Sequence, residues 1–260
     1  MTGASRNAPL ETPMKSHIHP KENPAALTRS QLLRELGALA DPAKAAAVAK
    51  YFKTGPGEYG EGDKFLGIAV PLQRKVALRY QTLALRDLAL LLASPTHEHR
   101  FAGLEILVAQ YERAADADRK TIVEFHLQHT RNINNWDLVD TSAPYILGEH
   151  LKTQPRRLLV TLARSRSVWE RRIAIISTLT LIRNGETADT LRVAKILLSD
   201  PHDLIQKAVG WALREAGKVS QAALLEFLSQ HYASLSRTTL RYAIERFPPQ
   251  QRKRILAGKF

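Results

Sequence analysis

VWERRIAIISTLT, residues 168–180, decides how the chain reads. Ile173, Ile176, Leu179 and Thr180 recur three and four apart, the spacing of a helix with an apolar face. Phe101, Leu104, Leu107 and Val108 repeat the pattern upstream. Strand-like alternation is scarce. From Ser30 onward the chain reads as helix after helix. The helices are separated at Ser94-Pro95, Asn134-Asn135, Gln154-Pro155, Asn184-Gly185, Asp200-Pro201 and Pro248-Pro249, which are turn and cap signals.

The long apolar helices begin near Arg100, Asn135, Val168, Leu204 and Arg237, roughly 33 to 36 residues apart, with a shorter helix between each pair. That period marks stacked helix pairs. The expected fold is all-α, a superhelical stack of degenerate HEAT-like or armadillo-like repeats forming a C-shaped solenoid with a concave basic groove. Arg171, Arg172, Lys207, Arg214, Arg237 and Arg241 stand where that groove could lie. Most helical Arg and Lys simply face solvent, so position alone does not assign them. Residues 29–260 read as a single repeat domain. Residues 1–28, with scattered Pro and small polar residues, read as a disordered leader without the apolar core of a signal peptide.

Lys plus Arg number 38 against 25 Asp plus Glu, a net charge of +13, so the chain should attract polyanions. With no cysteine there can be no disulfide, Cys-held zinc, iron–sulfur cluster or thiol nucleophile. No apolar run is long enough for a membrane span. His17 and His19 form a metal-capable pair, but two nearby His in a floppy tail are more often incidental; His126 and His129 lack a third ligand nearby in sequence, and no metal is expected.

Gly55-Pro56-Gly57-Glu58-Tyr59-Gly60 matches the glycine pattern of a dinucleotide site. That reading fails: a strand should precede the glycines, whereas Ala45–Lys53 reads as helix, and Pro56 removes an amide that a phosphate would use. A flexible loop joining two helices, beside whatever the groove binds, is the better reading.

The segment 134–144, NNWDLVDTSAP, holds the candidate chemistry. Asn134 or Asn135 can cap a helix, which makes Asp137 a first-turn carboxylate with a structural explanation. Asp140 lies one turn after Trp136 on the same side. Pro144, four residues on, cannot donate to its carbonyl, so the helix should bend there. Taken alone, a Trp is more often core and an Asp more often surface. Two later segments share this character. Trp169-Glu170-Arg171-Arg172 opens a helix with an Arg pair. Lys207, Trp211 and Arg214, at i, i+4 and i+7, share one helix face, where a Trp between two cations suits contact with phosphate and sugar.

At these residues the chain resembles the AlkD family of DNA alkylation repair glycosylases, from about Lys50 to the C-terminal helices. Tyr51-Phe52-Lys53 followed by Phe65-Leu66-Gly67-Ile68, then 136–140, 169–172 and 206–215, carry the likeness. A Gly-rich insertion between Tyr51 and Phe65 departs from it. The resemblance implies a metal- and cofactor-free enzyme that hydrolyses the N-glycosidic bond of N3- and N7-alkylated purines in duplex DNA, without a base-flipping pocket. It implies Asp140 as catalytic carboxylate, Trp136 and Trp211 flanking the deoxyribose, and Arg172 as an active-site cation. Tyr51, Lys207 and Arg214, with Arg171 and Trp169, would contact DNA. The expected setting is a cytoplasmic, nucleoid-associated monomer whose partner is double-stranded DNA, with no membrane. Two rivals stand: a non-catalytic helical-repeat scaffold for DNA or protein, and a glycosylase for bulky adducts.

Overall fold

The computed structural model describes residues 27–260. His17, His19 and most of the expected leader lie outside them. Thr28 belongs to the folded part, because it and Gln31 form a reciprocal capping box on the first helix.

Among the described residues the fold is all-α. The helices are α1 (Arg29–Ala38), α2 (Pro42–Tyr51), α3 (Val70–Ala77), α4 (Leu85–Leu92), α5 (His97–Arg113), α6 (Asp116–Gln128) and α7 (Trp136–Ser142). They continue as α8 (Arg157–Ala163), α9 (Val168–Arg183), α10 (Ala188–Leu197), α11 (Asp203–Val219), α12 (Gln221–His231), α13 (Arg237–Ala243) and α14 (Pro249–Leu256). The odd-numbered helices α3 to α13 form one series in which each packs on the next. Helices α4, α6, α8, α10 and α12 pack against members of that series. The long helices thus start within a few residues of the positions read from periodicity.

Helix α9 is central. Every residue from Arg172 to Ile182 is buried, so its apolar surface is not one stripe but nearly the whole cylinder. It touches α7, α8, α10 and α11, and few polar positions remain. Helix α11 is amphipathic, and Gly210 sets how close it comes to α13. A Cβ there would lie 2.4 Å from Cβ of Tyr242 and 2.7 Å from the Thr239 carbonyl. No larger residue permits that approach.

A recurring device opens three of the long helices. At the fourth residue of α5, α9 and α11 stand Arg100, Arg171 and Gln206. Each side chain donates to a carbonyl six residues earlier, at Ser94, Ser165 and Asp200. The same Ser94, Ser165 and Asp200 side chains accept the amides of Thr96, Ser167 and His202. The tight turn before each helix therefore meets its hydrogen-bonding needs locally.

The bend expected at Pro144 is present. Residues Pro144–Gly148 form a π-helical turn, with the Gly148 amide reaching the Ala143 carbonyl at 2.9 Å. Hydroxyls from α9 bind the carbonyls at the bend: Ser177 donates to Ala143 at 3.3 Å and Thr180 to Pro144 at 2.7 Å. The bend is thus clamped to α9.

The start of α5 anchors the chain arriving from α2. Glu98, buried, accepts the amides of Leu66 and Gly67 at 2.9 and 2.8 Å. His97, stacked on Phe65, bridges Asp137 at 2.7 Å and Asp63 at 3.4 Å, and Arg100 joins Asp63 at 2.6 Å. Burial alone pulls the His97 pKa down, but its two carboxylate partners outweigh this and raise it to about 9. Fully buried His126 moves the other way, down to about 4, through desolvation and then the nearby His129.

These shifts set a stability profile. The His97 contribution is complete below about 6.5 and is lost as pH rises towards about 9, on the order of 3 kcal/mol. The His126 site destabilises the fold as pH falls from about 6.5 towards about 4. Denaturant unfolding across pH should therefore show maximal stability near neutrality. His97→Gln should flatten the alkaline limb and leave the acid limb in place.

Candidate active site

The site is built from one repeated position. The fifth residues of α7, α9 and α11 are Asp140, Arg172 and Lys207. All three line a cleft of about 580 Å³ together with Trp136, Trp211, Arg214, Tyr51, Lys53, Tyr59, Asp203 and Tyr242. Five aromatic rings and four cations thus surround two carboxylates.

Asp140 and Arg172 form a two-point ion pair between α7 and α9. Arg172 Nε donates to Oδ1 at 2.9 Å and Nη2 to Oδ2 at 2.8 Å. Nη1 donates to the Leu204 carbonyl at 2.7 Å, which ties the pair to the first turn of α11. Arg172 is 5% exposed, so its charge is held inside the wall of the cleft. Burial pushes the Asp140 carboxyl above its ordinary pKa, against the opposing pull of Arg172. Each carboxylate oxygen has a further lone pair, so the bound pair can still accept from water or substrate.

The two tryptophans are placed by different helices. Trp136 opens α7, where Asn135 caps the helix by accepting its amide at 2.8 Å. Its ring stacks on Phe52 at 5.3 Å and meets Tyr51 edge-on at 6.0 Å. Trp211 lies one turn beyond Lys207 on α11. Tyr51 is 67% exposed yet reaches the cleft, so the insertion after it does not draw it away.

The cations are less free than the sequence suggested. Lys207 bonds to Asp203 at 2.9 Å, and that bond raises its pKa. Arg214 lines the cleft but pairs with Glu215 and Glu245. Among the described residues Lys53 is the cleft-lining cation without an ion-pair partner.

Trp169 and Arg171, expected as DNA contacts, do not line the cleft. Trp169 is 9% exposed and packs in the core. Arg171 is consumed at the head of α9 by Asp200 at 2.6 Å and by the Ser165 and Arg166 carbonyls. Successive helical residues point about 100° apart, so Arg171 turns to the preceding loop while Arg172 reaches the cleft. Arg237 donates to the Leu256 carbonyl, and Arg241 lines a separate groove with Pro249 and Arg252. Asp137 does more than open a helix, since it holds His97.

Sequence reasoning missed Lys53, Tyr59, Asp203 and Tyr242 as cleft residues. Tyr59 sat inside the quoted Gly-rich motif, and Asp203 sits four residues before Lys207. That i, i+4 pairing was available as a signal. Nothing local pointed to Tyr242.

The class is therefore an all-α protein of stacked helix pairs that holds an Arg-bound carboxylate in a cleft of aromatic rings and cations. The family model for the DNA alkylation repair enzyme matches residues 32–247, and the chain belongs to that family. It is therefore an enzyme of DNA repair, with DNA as its partner. Among solved structures, the fold is similar to a predicted DNA alkylation repair enzyme from Enterococcus faecalis, with a TM-score of 0.64 and 18% identity, over 81% of this chain and 97% of that one. No curated relative matches.

The ion pair makes a prediction about pH. Arg172→Gln removes the positive neighbour that favours ionised Asp140, so its pKa should rise further. In a pH–rate profile of the repair reaction, the acid limb should move to higher pH. Arg172→Lys should move it less.

Proposed function

We propose that the chain is a DNA N-glycosylase that excises N3- and N7-alkylated purines from duplex DNA by hydrolysing the N-glycosidic bond. The observation that carries this reading is the Asp140 carboxylate, fixed by two hydrogen bonds from Arg172 in a cleft it shares with Trp136 and Trp211. An alkylated purine is cationic and leaves as a neutral base, taking the bonding pair onto N9. The sugar becomes an oxocarbenium-like cation, which a fixed carboxylate stabilises electrostatically. Asp140 also positions the water that adds to C1′. Ring faces of Trp136 and Trp211 add attraction for the developing charge.

The leaving group's own charge supplies much of the driving force, so the base need not be extruded into a deep pocket. Neutral lesions follow as poor substrates. Tyr51, Lys207 and Arg214 hold the sugar–phosphate backbone around the lesion. Lys207 must then exchange or share Asp203 with a phosphate. No metal or cofactor takes part in this chemistry. The chain acts on alkylated duplex as a monomer at the nucleoid.

Two measurements test the reading. Asp140→Asn, checked for folding by circular dichroism, should lose at least about 100-fold in release of 7-methylguanine and 3-methyladenine from randomly methylated duplex. Its affinity for duplex should remain. Release comparable to wild type would remove Asp140 from the chemistry, and absence of release by wild type would favour the scaffold reading. Duplex affinity should also fall steeply with salt, and Lys207→Ala should reduce the slope of log K against log salt by about one. A flat salt dependence argues for a protein partner.

A further inference from the structure

The Gly-rich insertion after α2 is an ordered feature with an inward-facing residue. Its own acids hold its backbone. The Glu58 carboxylate accepts the Gly55 amide at 2.9 Å, and Glu61 accepts that of Gly57 at 2.9 Å. The Gly60 amide returns to the Lys53 carbonyl at 3.1 Å. A Cβ on Gly60 would lie 2.5 Å from the Phe52 carbonyl, so only glycine allows this return. Asp63, at the far end, is pinned by Arg100. Lys53, at the near end, holds a left-handed backbone (φ 52°), the one such non-glycine position among the described residues. Strain of that kind persists where surrounding structure enforces it, and it gathers at binding sites.

This construction turns Tyr59 towards the cleft. Its ring meets Trp169 edge-on at 6.0 Å, and it lines the same cavity as Asp140, Lys207 and Trp211. Burial raises its phenol pKa, partly offset by Trp136. Its ring shares the cleft with Trp136, Asp203 and Lys207. Lys53, at the root of the same loop, is the cleft cation without an ion-pair partner among the described residues. A phenol ring and an ammonium that share a cleft with a carboxylate offer packing for a sugar and a charge for its adjoining phosphate.

We propose that residues 53–63 form a substrate-contacting arm, in which Tyr59 packs on the deoxyribose of the nucleotide at Asp140 and Lys53 binds the phosphate beside it. This rests on the glycosylase reading for its chemistry, but its DNA contact can be read separately. The bland account of Tyr59 is a plug that fills space against Trp169. Tyr59→Leu separates the two, because it fills space without an aromatic face.

Single-turnover base release from methylated duplex should slow by about tenfold in both Tyr59→Ala and Tyr59→Leu. It should stay near wild type in Tyr59→Phe, with unchanged thermal midpoints for the Leu and Phe variants. Lys53→Ala should lower the salt slope for binding an undamaged duplex by about one. Normal release by Tyr59→Leu would mean that the ring only fills space, and overturns the arm. An unchanged salt slope in Lys53→Ala overturns it as well. If wild type releases no base, the glycosylase reading fails and the Lys53→Ala slope alone decides whether the arm meets DNA.

Discussion

The two-point bond between Asp140 and Arg172 is the constraint on which the rest depends. It joins α7 to α9, and its third arm, to the Leu204 carbonyl, joins both to α11. Removing either partner would leave an uncompensated charge in a buried place, typically a cost of about 3–5 kcal/mol. A hydrophobic pair would hold the helices as well or better. What the ion pair adds over an apolar one is a carboxylate held in one orientation in the cleft wall, with Arg172 opposing the upward push of burial on its pKa. The clamp of the 144–148 bend onto Ser177 and Thr180 serves the same end, since it fixes α7 against α9 just beyond Asp140.

Regularity in the helix starts makes the site possible. Arg100, Arg171 and Gln206 tie the fourth position of three helices back to the preceding turn. In α9 and α11 that position is spent on structure while the fifth, Arg172 and Lys207, lines the cleft; α7 also places Asp140 at its fifth position, but its fourth is the buried Val139. The repeat is thus weak in apolar residues and stronger in how each helix begins. One residue of offset separates a turn-building Arg171 from a cleft-lining Arg172. That offset is why a run of two arginines divides its labour.

Electrostatics in the cleft are more balanced than a net charge of +13 implies. Lys207 and Arg214 sit in pairs with Asp203, Glu215 and Glu245. Such pairs orient the cations and lower the raw attraction of the cleft for a polyanion.

Much was legible without coordinates. Three- and four-residue spacing determined the all-α class and the helix starts, because an amphipathic helix writes its buried face into the sequence. Asp140 with Trp136, and Lys207 with Trp211 and Arg214, were singled out because each set shares one helix face, and all five line the same cleft. Pro144 announced its bend by chemistry alone. What tertiary structure decided was every relation between helices. It buried Trp169, spent Arg171 on Asp200, gave Asp140 its guanidinium from 32 residues away, and folded Tyr59 against Trp169 into the cleft. Local spacing fixes the direction of a side chain about its own helix axis. Which partner it finds there depends on how the helices stack, and no residue's neighbours in sequence carry that information.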